Sequence, residues 1–249
     1  MPRTGRSRRS RIRAGASRWA SCGIRKRATT RGSSRNWCGK RSTIAPSATT
    51  SRTRLSRHAN YIHIRVSDTV SARGNNGEPI VRDDLDCLDF LRWLSRIVFE
   101  QQWRVVTYCL MTNHYHLLMR PAEQGFAGGM QLLNCGHARR MNRKHGRTGH
   151  LFRNHYSWRA VESDEHLREA VRYIVLNPVR AGICKRPEEW RWSSYRAAVD
   201  LEHPPDFLAL GDLLAIFGTT PARARVAFRD FVAEGHGQVS DTWPWDNVT

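Results

Sequence analysis

The first acidic residue of this 249-residue chain is Asp68. Residues 1–57 hold 17 Lys/Arg, no Asp or Glu, and almost no large aliphatic side chains. Such a stretch cannot bury enough apolar surface to offset its ordering entropy, so a disordered basic tail is expected there and the fold is confined to the residues beyond it. Past residue 57, 24 Lys/Arg face 22 acids, so +17 of the formal +19 sits in the tail and +2 in the rest. The strongly basic balance therefore says nothing about whether the folded part binds nucleic acid. For the tail, two readings stay open: an arm that holds DNA phosphates, or a stretch that is not a selected protein sequence.

The six cysteines, Cys22, Cys38, Cys87, Cys109, Cys135 and Cys184, form no Cys-x-x-Cys pair, which fits a reduced, cytoplasmic protein. No run approaches 18 apolar residues and the N-terminus lacks the apolar core of a secretory signal, so no membrane partner is expected. The Arg- and Ser-rich start resembles a transit peptide in composition but has no amphipathic period.

The grammar changes from Val70 onward. Asp83, Asp84 and Asp86 offer N-caps to a helix in which Leu88, Leu91, Leu94 and Val98 recur, ending near Gln102. Val105 to Met111 and His114 to Arg120 read as strands, parted by Thr112-Asn113. A helix is expected from Phe126 to His145, with Phe126, Met130, Leu133 and Met141 on one side and Gly146 as its stop. Its other side carries Arg139, Arg140, Arg143 and Lys144. Ser163 caps another helix, with Leu167, Ala170, Val171 and Ile174 as the buried stripe and Pro178 as its end. Past Asp200, a helical pair is expected around Leu208 to Phe217 and Pro221 to Val232.

Two constellations carry chemistry. In a strand, His114 and His116 share a face about 6.5–7 Å apart, so both imidazoles can converge on one ion while Tyr115 and Leu117 face the core. With 11 histidines in 249 positions, about half a His-x-His pair is expected by chance, so a solvated pair is the competing reading. On a helix, Tyr173 and Asn177 project together and lie off the stripe made by Leu167, Ala170, Val171 and Ile174. The competing reading of Tyr173 is an interfacial tyrosine with a packed ring and a wet hydroxyl. Asn177 precedes Pro178, which biases it away from the helical region and leaves its direction open.

The segments Leu110-Met-Thr-Asn-His-Tyr-His-Leu-Leu118, His145-Gly-Arg-Thr-Gly-His-Leu-Phe152, Tyr173-Ile-Val-Leu-Asn-Pro-Val-Arg-Ala-Gly182 and Trp192-Ser-Ser-Tyr195 resemble the REP-associated tyrosine transposases. The resemblance runs from about residue 70 to 235. It implies an α+β fold: a ferredoxin-like central antiparallel sheet flanked by helices, with a small helical C-terminal appendage. Together with the tail and the helical pair read above, the expected division is a tail over 1–57, a catalytic domain over 58–200 and a helical extension over 201–249. His114 and His116 match the family's metal histidines, Tyr173 its nucleophile, and Asn177 stands where a third ligand is expected. A divalent ion, Mg2+ or Mn2+, is implied as cofactor, and single-stranded or hairpin DNA as partner. Oligomeric state is not implied.

Departures from the family pattern matter too. Arg73-Gly-Asn-Asn76 is preceded by Asp68-Thr69-Val70 where the family has Tyr-His-Val, so the first strand is expected to be damaged or displaced. Together with the acid-free start this fits a reading frame that is wrong upstream of about Val70, or a genuine insertion. Asn154-His155-Tyr156 stands where the family tends to have Gly-Arg-Tyr. Backbone phosphates are assigned to Arg139, Arg140, Arg143, Lys144, Arg147 and Arg153, with Trp158 or Phe152 for stacking; the alternative is a solvated helix face. Two other functions remain open: an inactive relative that only binds DNA hairpins, and a metal-dependent phosphodiesterase in which water attacks.

Overall fold

The computed structural model describes residues 67–122 and 125–235. The tail expected over 1–57 lies outside the described residues. The elements run β1 (Asp68–Arg73), α1 (Asp84–Glu100), β2 (Arg104–Leu110), β3 (His114–Arg120), α2 (Ala127–His145), β4 (Ser157–Ala160) and α3 (Asp164–Arg180). Three further helices complete the order: α4 (Tyr195–Ala198), α5 (Leu210–Ala215) and α6 (Pro221–Glu234).

The four strands form one antiparallel sheet in the order β2-β3-β1-β4. With a helix between β1 and β2 and another between β3 and β4, this is the ferredoxin-like arrangement. The expectation of a damaged first strand is corrected. β1 is formed by Asp68 to Arg73 and lies inside the sheet, paired with β3 on one side and β4 on the other. Val70 and Ala72, at 1% and 5% exposure, supply the apolar alternation that the family's Tyr-His-Val does not provide here.

Both faces of the sheet are covered. On one, Val70, Tyr108, Tyr115, Leu117 and Met119 pack with Phe90, Leu94 and Ile97 of α1 and with Met130, Leu133 and Met141 of α2. The centre of α1's buried stripe is Phe90-Leu94-Ile97, and Leu88 and Leu91 flank it partly buried, so the expected stripe was placed toward its edge. α1 and α2 meet closely at Gly136, where an added Cβ would lie 2.5 Å from the Trp93 ring nitrogen. On the other face, Val106, Cys109 and Leu118 pack with Leu167, Val171, Ile174 and Leu176 of α3. Leu213, Phe228 and Val232 from α5 and α6 extend this second core.

Helix ends obey local chemistry. The Asp83 side chain accepts from the Asp86 amide at 2.7 Å to start α1, and Ser163 Oγ from the His166 amide at 3.1 Å to start α3. Gly146 closes α2 at φ 59°. Pro178 does not end α3, contrary to expectation: the helix continues to Arg180, where the loss of the proline's donor is confined to the last turn and the residues beyond it keep backbone partners. The Ala181 amide still reaches the Asn177 carbonyl at 2.9 Å.

The edge strand β2 does not stay open. The Leu110 amide donates to the Trp192 carbonyl at 2.9 Å and the Ser194 amide to the Tyr108 carbonyl at 3.0 Å. The Trp192-Ser-Ser-Tyr195 motif thus acts as a short cover strand that blocks edge-to-edge pairing.

Candidate active site

The tip of the β2–β3 hairpin sets the first half of the site. Met111 donates its amide to the His114 carbonyl at 2.8 Å, leaving Thr112-Asn113 as the turn. The loop after β1 holds this tip from below: the Ile80 amide reaches the Thr112 carbonyl at 2.8 Å and the Gly74 amide the Asn113 carbonyl at 2.7 Å. Only glycine fits at position 74, since a Cβ would lie 1.9 Å from the Glu78 carbonyl oxygen. The Arg73-Gly-Asn-Asn76 motif is therefore a support for the hairpin tip.

His114 and His116 alternate with the buried Tyr115 and Leu117 and so turn to the α3 face. Their rings meet edge to face with centroids 5.0 Å apart. From α3, the Tyr173 ring meets His116 at 5.4 Å, and Asn177 Oδ1 lies 3.1 Å from His114 Nε2. The four residues thus come together in space as the sequence pattern expects. Asn177 remains helical despite Pro178, which keeps its side chain on the same face as Tyr173. One expectation is corrected: Tyr173 does not lie off the buried stripe. At 7% exposure it belongs to the second core, because α3 is buried on nearly every side from Tyr173 to Pro178.

The hydrogen bonding at His114 is acceptor-rich. Nδ1 lies 2.7 Å from Asn113 Oδ1, which requires a proton on Nδ1. Nε2 lies 3.1 Å from Asn177 Oδ1, and in the neutral form of His114 this nitrogen carries the lone pair. Two acceptors at that separation match adjacent ligands of an octahedral ion with bonds of about 2.1 Å, which lie about 3.0 Å apart. His116 is kept well below its ordinary value, by burial first and then by positive charge on His114 and Arg73, so it stays neutral with a lone pair to offer. The donor set fits a divalent ion.

A second group of metal-ligating atoms brings together Asp83, Asp86 and His145. Lys144 Nζ already sits between these carboxylates, 2.9 Å from Asp83 Oδ1 and 2.6 Å from Asp86 Oδ1. His145 Nε2 lies 2.8 Å from Asp86 Oδ2. The lysine fills the place of a cation, and the cluster staples the positive start of α1 to the negative end of α2.

The six cations assigned to phosphates divide by environment. Lys144 is engaged with Asp83 and Asp86, Arg147 with Glu78, and Arg140 lies over the Trp93 ring at 4.3 Å. Arg139, Arg143 and Arg153 are exposed. Arg139 and Arg153 line a groove of about 1070 Å3 with Phe152, Tyr156 and Trp158, on the α2 side of the molecule. Tyr156 packs on Phe126 in the first core, away from the histidine face.

Residues 77–177 match a family described as "Transposase IS200 like". The matched stretch is 101 of the 249 residues. It begins under the hairpin tip and ends at Asn177, so His114, His116, Tyr173 and Asn177 all fall within it. A solved structure described as "Structure of the REP associates tyrosine transposase bound to a REP hairpin" is 14% identical, with a TM-score of 0.46 over 58% of this chain and 84% of that one. A comparison with curated proteins gives no match.

Three residues around the site are not marked as site residues in the sequence analysis. Asn113 orients His114, and its place directly before the first histidine was the available signal. Arg73 pairs in register with His114 across β1 and β3. Arg180 lies over the Tyr173 ring at 5.1 Å, seven residues on along the same helix face.

Proposed function

We propose that this protein is a metal-dependent tyrosine transposase that cleaves and rejoins single-stranded or hairpin DNA through a 5′-phosphotyrosine intermediate. The observation that carries the reading is the meeting of α3 with β3, which sets Tyr173 and Asn177 against His114 and His116. His114 Nε2, a nitrogen of His116 and Asn177 Oδ1 are the groups that hold the ion. Bound there, Mg2+ or Mn2+ supplies a Lewis acid for the non-bridging oxygens of the scissile phosphate.

Tyr173 supplies the nucleophile. Its phenolic oxygen bonds to phosphorus as the bond from phosphorus to the 3′ oxygen breaks; the phenol proton is given up and the departing oxygen leaves as a 3′-hydroxyl. The phosphotyrosine keeps the bond energy, so rejoining is the same step reversed and needs no nucleotide triphosphate. Asn113 fixes the tautomer and tilt of His114, the role of an outer partner to a metal histidine. The rigid sheet and the buried α3 hold the reacting groups in place, which supports in-line attack. Arg139, Arg143 and Arg153 bind backbone phosphates along the α2 side, with Trp158 exposed for stacking on an unpaired base.

Incubating the protein with labelled single-stranded or hairpin DNA and running a denaturing gel tests this. A covalent adduct that forms with Mg2+ or Mn2+ and not with chelator is the expected result. Cleavage without an adduct makes the protein a phosphodiesterase, and binding without cleavage makes it a hairpin binder.

A further inference from the structure

Tyr173, Asn177 and Arg180 stand at i, i+4 and i+7 on α3 and so form one stripe along its length. Arg180 is half-buried, and its guanidinium carbon lies 5.1 Å above the Tyr173 ring. Five other arginines are matched by acids: Arg104 and Arg120 by Asp212, Arg172 by Glu169, Arg196 by Glu202 and Arg225 by Asp200. Among the described residues Arg180 takes no carboxylate. The contact with an aromatic face holds the guanidinium in place yet leaves its planar fork of N–H donors for an anion.

We propose that Arg180 is a further catalytic residue, whose guanidinium binds a non-bridging oxygen of the scissile phosphate beside Tyr173. This rests on the transposase reading above. The nucleophile must approach phosphorus within about 3–3.5 Å, so an arginine held over the ring of that nucleophile lies within reach of the same phosphate. Its fork matches phosphate oxygens with two parallel hydrogen bonds. The guanidinium stays protonated throughout and takes no part in the transfer of protons. It offsets charge that grows on the phosphate oxygens as the bond to Tyr173 forms. The last turn of α3 is also where a cation complements the helix dipole, a contribution to stability that does not depend on the DNA.

The test compares two substrates that differ by one group: an oligonucleotide with an ordinary scissile phosphate, and the same one with a neutral methylphosphonate at that position. Adduct formation by the unaltered protein on the ordinary DNA is measured first, and its absence would sink the transposase reading itself. Given that adduct, Arg180→Ala is expected to slow its formation by about 10²–10³-fold on the ordinary phosphate. Arg180→Lys, which keeps the charge and loses the fork, recovers part of that loss. On the methylphosphonate the gap between the unaltered protein and either variant shrinks to a few-fold, because there is little charge left to offset. An equal gap on both substrates, or variants as fast as the unaltered protein on the ordinary phosphate, overturns the assignment and leaves Arg180 a structural residue. Arg180→Lys preserves the charge at the helix end, so it keeps the comparison valid should Arg180→Ala fold poorly.

Discussion

His137 makes the fold sensitive to mild acid, and the size of the effect comes from its surroundings. The ring is 1% exposed on α2, with Nε2 2.7 Å from the Ile80 carbonyl and the Phe90 ring edge-on at 5.0 Å. Burial is the main cause that pushes its pKa down, from 6.5 to about 4. In the unfolded chain the imidazole takes a proton near its ordinary value, while the folded protein refuses it until about pH 4. Stability is therefore full above about pH 6.5 and falls as the pH drops toward 4, by about 3 kcal/mol from this group alone. Asp86 does not blur this window. Its burial raises its pKa, but hydrogen bonds from Lys144, the Arg82 amide and His145 outweigh that and hold it below 3.8, so its contribution is lost only in stronger acid. Urea unfolding from pH 7 to 4 measures the loss, and His137→Gln, which keeps an N–H for Ile80, removes the titration. The unaltered protein should lose about 3 kcal/mol more than the variant across that interval. Parallel pH profiles would refute the reasoning. The consequence reaches the candidate site, because Ile80 donates its amide to Thr112 at the hairpin tip beside His114.

His114→Ala or His116→Ala should abolish divalent-dependent cleavage while leaving DNA affinity largely intact, as measured by gel shift, since phosphate contacts elsewhere supply most of the affinity. Lys144→Ala should lower the urea midpoint by stranding the buried Asp86 carboxylate. Its salt dependence of DNA binding should not change, whereas that of Arg143→Ala should weaken. Gly74→Ala should destabilise by about 1–3 kcal/mol in the same assay, because its Cβ meets the Glu78 carbonyl rather than a flexible side chain.

Much of the fold was legible because its periods are local. The caps at Asp83 and Ser163, the stop at Gly146 and the alternation of β3 each depend on a few neighbouring residues. The first strand was misread because its evidence is not local: Asp68-Thr69-Val70 acquires its role only by pairing with β3 and β4 at once. For the same reason the burial of Tyr173 was missed, since the helical stripe says which side is most apolar and not that a second layer covers the rest. Lys144, Arg147 and Arg140 show a third limit. Their charge is visible in the sequence, but the partners that engage them, Asp83, Asp86, Glu78 and Trp93, come from distant segments.

The central claim is that Tyr173 attacks the phosphate, and Tyr156 is the serious rival because it lies in the groove with Arg153. Tyr156 packs on Phe126 in the first core, whereas Tyr173 lies against His116 on the other face of the sheet. Peptide mapping of the trapped DNA adduct decides between them, with Tyr173→Phe as the matched control that removes only the hydroxyl. The expected result is a nucleotide on the peptide that contains Tyr173 and no adduct from the variant at nearly unchanged stability. A nucleotide on the peptide that contains Tyr156, or an undiminished adduct from Tyr173→Phe, would contradict the claim.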